Sequence, residues 1–188
     1  MSRHPGWPAD LGPLRVAGGL VTVRSVRLRD AAAWSRLRTR DRDHLEPWEP
    51  TGESAWDMRH HISVWPGLYR SLRAEARKGL MVPMAIELDG RYCGQITVGN
   101  IVRGALRSAW IGYWVEKEVN GLGVATAASR SGSITASAPS VYTVSRRPCV
   151  RRTSPAARSC AMSASVRRAC CSGTSMCTDG FVIIFSLR

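Results

Sequence analysis

The feature that most constrains the fold of this chain is a change of sequence character between Ala128 and Ser129. Before it, apolar residues recur with helix or strand spacing, whereas residues 129–188 keep no sustained period of 3.6 or 2. All seven Trp lie at or before Trp114, and residues 129–188 hold 9 Arg, no Lys and a single acidic residue. We therefore expect a Pro- and Gly-rich flexible arm at 1–19, a folded unit at 20–128, and an irregular or disordered tail at 129–188.

Charge also divides at this point. The formal net charge of +13 suggests an anionic partner, but residues 1–128 hold 18 Lys and Arg against 13 Asp and Glu. Most of the excess therefore lies in the tail. An Arg-rich tail that binds nucleic acid would have aromatic residues interleaved with the arginines, and only Tyr142 qualifies. A nucleic-acid partner stays an alternative that the composition does not favour.

The sequence before Ser129 predicts an α+β domain. "LVTVRSVRLRD" alternates as a strand does, and two helical stretches follow, one capped by Asp30 and one ending near Gly79. Two apolar runs then flank Asp89-Gly90, which is a strong signal for a tight hairpin. "AWIGYWVEKEV" predicts a further strand, and "VATAA" begins a helix. The predicted order, β-α-α-β-β-β-α, is typical of an antiparallel meander that leads into a helix.

A glycine turn lies between that strand and that helix. Gly121 and Gly123 would let the backbone approach a pyrophosphate, and the free N–H groups of the first helical turn would donate to its oxygens. An ordinary loop is the alternative for an isolated Gly-x-Gly. The turn is not the Gly-x-Gly-x-x-Gly motif of dinucleotide-binding proteins, because Thr126 occupies its last glycine position. It is not a P-loop either, because no Gly-Lys-Ser/Thr follows.

Several segments in one order resemble the GNAT superfamily of acetyl-CoA-dependent N-acetyltransferases. These segments are "RDHLEPWEPT", the Asp89-Gly90 hairpin, "CGQITVGNI" and "IGYWVEKEVNGLGVATAA". The sequence is most similar to the RimJ/RimL-like branch, which acetylates N-terminal amines of ribosomal proteins, and the similarity covers about residues 20–128. It implies a GNAT-like mixed sheet flanked by helices, of which this chain would hold the N-terminal half. Glu118 departs from the family's pyrophosphate motif, which begins with Gln or Arg.

The resemblance implies acetyl-CoA as the co-substrate. Strand 110–115 would pair its backbone with the pantetheine amides, and the N–H of Val115 would be the donor to the oxyanion. The N–H groups of the glycine turn would receive the pyrophosphate. The cofactor-binding residues expected on this basis are Tyr113, Trp114, Val115, Asn120, Gly121, Leu122, Gly123, Val124 and Ala125.

Two carboxylates are candidates for the acceptor side of the reaction. Glu46 and Glu49 lie in the "PWEPT" region and are the predicted catalytic residues, as proton acceptors near the substrate amine; a solvated loop is the alternative. The acceptor would be a ribosomal protein N-terminus or a small-molecule amine. The cysteine and histidine spacings match no metal site, no apolar run is long enough to span a membrane, and a cytoplasmic location is expected.

Three interpretations of the tail are open. Disorder and Arg-rich nucleic-acid binding are two of them. The third is a change of reading frame near Ala128–Ser129. Codons can be chosen for three segments so that, when they are read one base out of frame, they encode the helix, strand and Gly-Phe strand with which the family continues. The three segments are Ser129–Ser137, Val141–Thr153 and Ser163–Gly180. Such a chain would be a poorly active acetyltransferase or a non-catalytic remnant that keeps part of the coenzyme site.

The reading-frame hypothesis predicts a specific nucleotide sequence. Around codons 126–130, the frame one base away is expected to stay open and to encode the three regrouped segments in order. Sequencing the gene checks this, and early stop codons in that frame would exclude the hypothesis.

Overall fold

The computed structural model describes residues 7–49, 52, 54–102, 108–137, 144–145 and 186–187. Its centre is a five-stranded sheet in the order β1-β2-β3-β4-β5, in which every neighbouring pair is antiparallel. The strands are β1 (Asp10–Val16), β2 (Gly19–Ser25), β3 (Val82–Leu88), β4 (Arg91–Val102) and β5 (Ser108–Val115). Two further strands, β6 (Val144–Ser145) and β7 (Ser186–Leu187), pair with each other.

Five helices accompany this sheet in the described part of the chain. Four of them lie between β2 and β3 in sequence, and the fifth follows β5. Short 3₁₀ turns occupy Leu28–Asp30, Glu46–Trp48, Ile62–Val64 and Lys117–Val119. The helices are α1 (Ala31–Arg40), α2 (Arg42–Leu45), α3 (Trp56–Arg59), α4 (Trp65–Arg77) and α5 (Val124–Ser137).

The sheet has an apolar layer on each face. On one face, α5 packs against Val21, Ile96, Ile111 and other aliphatic residues of β2 to β5. The opposite face carries a cluster rich in aromatic residues from α1, α3, α4, β4 and β5: Trp34, Trp56, Trp65, Tyr92 and Trp114. Because both faces are covered, β3 and β4 read as nearly continuous apolar runs. The predicted α+β class is confirmed.

Residues 10–16, which the sequence assigned to a flexible arm, form a strand instead. β1 pairs with β2, and its register shifts between Leu11 and Leu14. Ala9 adds a further contact, since its carbonyl accepts a 2.9 Å hydrogen bond from the N–H of Ser25. The Pro and Gly residues that suggested an arm are accommodated by the irregular pairing of an edge strand.

The last helix extends beyond the predicted break. α5 continues through Ser129 to Ser137, although we expected regular structure to end at Ala128. Small residues let this part of the helix lie close to the sheet. Ala128 and Ser131 are buried, and a Cβ at Gly132 would lie only 3.0 Å from Ile96. Most of the 129–188 tail, residues 103–107, and Pro50 and Thr51 of "PWEPT" lie outside the described residues.

The contact between β4 and β5 requires glycine at position 94. A Cβ at Gly94 would overlap the carbonyl oxygen of Trp114 and lie 3.0 Å from the Cα of Val115. We therefore expect Gly94→Ala to destabilise the fold by about 1–3 kcal/mol, as overpacking does. Urea unfolding followed by circular dichroism measures the change in midpoint.

Gly67→Ala is the matched control. Gly67 lies in α4, and a Cβ added there would have no neighbouring atom within 4 Å, so this substitution should stabilise the helix by up to about 1 kcal/mol. Equal urea midpoints for Gly94→Ala and the wild type would contradict the packing described.

Candidate active site

Alternate residues of β5 direct their backbone N–H and C=O groups to the side away from β4. The N–H of Glu116 donates to the carbonyl of Cys93 at 2.8 Å, and Gln95 lies opposite Trp114 in the same register. In an antiparallel ladder, hydrogen-bonded and non-hydrogen-bonded pairs alternate. The N–H and C=O groups of Tyr113 and Val115 therefore point to the other edge. β7 comes near β5 but is hydrogen-bonded to β6.

The glycine turn follows directly after this strand. Gly121 and Gly123 have φ of +76° and +83°, the left-handed region that favours glycine. The carbonyl of Gly123 accepts from the N–H of Ala127 at 3.0 Å, so Gly123 caps α5. The first N–H groups of an α-helix have no partner within the helix, and here they belong to the residues after Gly123. The end of β5 and the N-terminus of α5, where the helix dipole is positive, thus lie next to each other in the chain.

The β1–β2 hairpin supports the turn from behind. A Cβ at Gly18 would lie 2.9 Å from the Leu122 side chain, and a Cβ at Gly123 would lie 3.5 Å from Val16. Leu122 is partly buried against the aliphatic layer. The strand that the sequence placed in a flexible arm therefore fixes the position of the turn.

A network of charged side chains fixes the start of this turn. Glu116 has no solvent exposure, and its carboxylate lies 2.9 Å from Nη2 of Arg40 and 2.5 Å from Nη2 of Arg91. Arg40 also binds Asp41 through Nε at 2.7 Å, and Asp41 accepts a 2.8 Å hydrogen bond from the N–H of Lys117. The hydrogen bonds that Arg40 donates to Asp41 and Glu116 raise the pKa of Arg40. Arg40 is charged at any physiological pH.

Glu118, the irregular position of the motif, belongs to the same network. Its carboxylate accepts a 3.0 Å hydrogen bond from Nη1 of Arg40 and is 65% exposed. The charge that would repel a phosphate at this position is therefore paired with a cation from the end of α1.

His44 provides a second link between the helices and the turn. Its Nε2 lies 3.1 Å from Nδ2 of Asn120, the residue that precedes Gly121. An amide nitrogen only donates, so this contact requires Nε2 to be the acceptor. α2 thereby contacts the glycine turn directly.

The two predicted carboxylates lie in different environments. Glu46 is paired with Arg42 at 2.8 Å, one helical turn away, and that hydrogen bond lowers the pKa of Glu46. Glu49 is more buried and contacts Arg38, with Arg59 at 3.8 Å and Nε2 of His60 at 3.5 Å. The charges of Arg59 and His60, which contact Glu49, also act on Glu46, but the ion pair of Glu46 is with Arg42. Their catalytic roles stay a prediction.

Arg38 connects Glu49 to the sheet. Its guanidinium lies 4.4 Å from the ring centroid of Trp114 and 6.0 Å from that of Trp56, a cation–π arrangement. Burial lowers the pKa of Arg38 to about 10. The Trp114 side chain therefore lies in the aromatic layer, on the opposite face from Tyr113 and Val115.

The sequence predicted the order of strand, glycine turn and helix, and the role of these residues in coenzyme binding stays a prediction. Strand, turn and helix start are placed together as expected. The charged residues around them were not predicted, because salt bridges between distant segments leave no periodic signal in the sequence. The residues missed were Arg38, Arg40, His44, Arg91 and Glu116.

The described residues hold no group of three or more His, Cys, Asp or Glu side chains close enough to bind a metal ion. Within the same described part, none of the helices has the length and hydropathy needed to cross a membrane.

Known proteins with similar sequences are N-acetyltransferases. The putative ribosomal N-acetyltransferase YdaF of Bacillus subtilis is 31% identical over 114 residues, which cover 58% of this chain and 58% of that protein. The probable N-acetyltransferase YjcK of Bacillus subtilis is 45% identical over 42 residues, covering 22% of this chain and 23% of that protein. The chain thus spans little more than half of the first relative and about a quarter of the second. No protein-family model matches the chain.

Solved structures extend the comparison over nearly the whole chain. The structure of Mycobacterium smegmatis RimJ in complex with CoA-disulfide is 40% identical, with a TM-score of 0.72, and covers 98% of this chain and 87% of that chain. The ribosomal-protein-S5-alanine acetyltransferase of Vibrio fischeri has a TM-score of 0.63 at 14% identity, covers 96% of each chain, and shows a similarity of fold.

The buried His60 makes stability depend on pH. Burial lowers the pKa of the His60 imidazole to about 4, and the charges of Arg38 and Arg59 act in the same direction. Below about pH 6.5 the imidazole is protonated in the unfolded chain but stays neutral in the folded chain. The free energy of unfolding should therefore fall as pH drops from about 6.5 to about 4. We expect His60→Gln to lose less stability over this range, by about 1–3 kcal/mol, in urea unfolding measured at each pH.

His61→Gln is the control, because His61 is exposed and adjacent. It should keep the wild-type pH dependence. A His60→Gln profile that runs parallel to the wild type would refute the assignment of this acid sensitivity.

Proposed function

Because the chain belongs to the GNAT superfamily of N-acetyltransferases, in its RimJ/RimL-like branch, we propose that it transfers the acetyl group of acetyl-CoA to a primary amine. The acceptor that the relatives favour is the N-terminal amine of a ribosomal protein; a small-molecule amine is the other substrate class considered. A cytoplasmic location is part of the same proposal.

The observation that carries the proposal is the continuity between the outer edge of β5 and the glycine turn. The backbone N–H and C=O groups of Val115, which point away from β4, would pair with an extended chain of amides, such as pantetheine. The N–H groups after Gly123 are placed for a pyrophosphate at the end of that chain. An amide-bearing arm joined to a pyrophosphate is the chemical outline of CoA, and the RimJ relative was solved with a CoA-disulfide.

Acetyl-CoA, when bound, supplies a thioester whose carbonyl carbon an amine can attack. The N–H of Val115, which points out from β5, is suited to donate to the carbonyl oxygen as negative charge develops on it. Asn120 to Ala125 would hold the phosphates through backbone N–H groups. These contacts orient the coenzyme and need no charged side chain at position 118.

The acceptor amine must lose a proton as the new C–N bond forms. Glu49 is the better placed of the two predicted acceptors, since it is partly buried and is linked through Arg38 to the Trp114 side chain of β5. The guanidinium groups of Arg38 and Arg59 hold this carboxylate in place. A bound water could carry the proton to it. Glu46, paired with Arg42 at the surface, is the weaker candidate.

Incubation of the full chain with acetyl-CoA and a short peptide tests the function. We expect the peptide to gain one acetyl group on its N-terminal amine, detected by mass spectrometry, with release of free CoA. A peptide with a blocked N-terminus and an internal Lys should stay unmodified. If neither peptide nor any polyamine is acetylated while CoA binds, the chain is a binding remnant and the proposal fails.

Glu49→Gln and Glu46→Gln form a matched pair in the same assay. Removal of a proton acceptor should lower kcat for Glu49→Gln by about a hundredfold or more, the usual contribution of general-base catalysis. Glu46→Gln should stay within about twofold of the wild type. Equal losses in both variants would argue against a specific role for Glu49.

A further inference from the structure

Arg40 connects three carboxylates that surround the start of the glycine turn. Its Nε and Nη2 bind Asp41 at 2.7 and 3.0 Å, Nη2 also binds Glu116 at 2.9 Å, and Nη1 binds Glu118 at 3.0 Å. A planar guanidinium can satisfy several acceptors in fixed directions, which a lysine ammonium cannot do. The geometry of this segment therefore depends on one side chain from the end of α1.

Two of these contacts hold the backbone between the strand and the turn. Glu116 is the residue after β5, and its carboxylate is wholly buried. Asp41 accepts from the N–H of Lys117, the first residue of the 3₁₀ turn that leads to Asn120. Arg40 binds both carboxylates, so it fixes the path from the outward-facing Val115 to the turn.

The third contact concerns charge. Asp41, Glu116 and Glu118 bring three negative charges, and Arg40 and Arg91 bring two positive ones. The cluster is thus one negative charge in excess, beside a turn that would receive phosphates. Glu118 is the most exposed of the three carboxylates, so it is the one that would lie nearest in solvent to a bound anion.

We propose that Arg40 is a positioning residue for coenzyme binding. Through Asp41 and Glu116 it sets the path of the backbone into the phosphate turn, and it screens the coenzyme phosphates from Glu118. This inference rests on the proposed function, since the phosphates are those of CoA. Arg40, at the end of α1, would thereby take the place of the Gln or Arg with which the family's pyrophosphate motif begins.

Titration calorimetry of the full chain with CoA tests the proposal. Arg40→Ala should weaken CoA binding about tenfold or more, and Arg40→Lys should recover part of the loss. Arg36→Ala, an exposed arginine one turn earlier in α1, should bind within twofold of the wild type. In acetyl transfer, Arg40→Ala should raise KM for acetyl-CoA far more than KM for the acceptor. Equal CoA affinities for Arg40→Ala and Arg36→Ala would overturn the proposal.

Glu118→Gln keeps the test decisive if Arg40→Ala folds poorly. Because Arg40 screens this exposed carboxylate, its removal should tighten CoA binding by less than about twofold in the wild type. In an Arg40→Lys background, where the ammonium cannot reach all three carboxylates, the same removal should tighten binding about three- to fivefold. An equal gain in the two backgrounds would overturn the screening role.

Hydrogen exchange separates this inference from the proposed function. Without any coenzyme, Arg40→Ala should exchange the amides of residues 116–122 at least tenfold faster than Arg36→Ala does. If the wild type does not bind CoA, the proposed function fails, and the exchange rates still decide whether Arg40 positions the turn. Identical rates in the two variants would exclude that role.

Discussion

A fully buried carboxylate at the end of β5 is the constraint on which the site depends. Glu116 is fully buried, and removing the partner of a buried ion pair costs about 3–5 kcal/mol. Arg40 arrives from the end of α1 and Arg91 from the start of β4. Three elements distant in sequence must therefore meet at this point, and the glycine turn starts from it.

The two apolar layers fix the register of β5 against β4, and this register decides which backbone groups of β5 point away from the sheet. Tyr113 and Val115 pack on the aliphatic face, and Trp114 packs on the aromatic face. A shift of one residue would put Trp114 into the aliphatic layer and would exchange all the inward and outward side chains. It would also turn the N–H of Val115 towards β4. Side-chain packing thus determines which backbone groups face a ligand.

Sequence patterns predicted the elements whose signals are local. The Asp89-Gly90 hairpin and the left-handed glycines of the turn were found from a few neighbouring residues. β1 was missed because its pairing tolerates Gly and Pro, and the contacts of Arg40 were missed because Glu116 lies 76 positions further along the chain. Long-range ion pairs follow from the fold and have no spacing of their own.

The change of character at Ser129 affects stability and coenzyme geometry differently. All of the proposed coenzyme contacts, from Tyr113 to Ala125, precede it, and the first turn of α5 depends on residues up to Ala127. Beyond it, α5 buries Ser129 and Ser131 against a sheet whose other covering residues are aliphatic. Small residues permit close packing there but bury little apolar area. The small and polar residues after Ala128 therefore weaken the cover of the sheet, whereas the N–H groups proposed to meet a phosphate precede them.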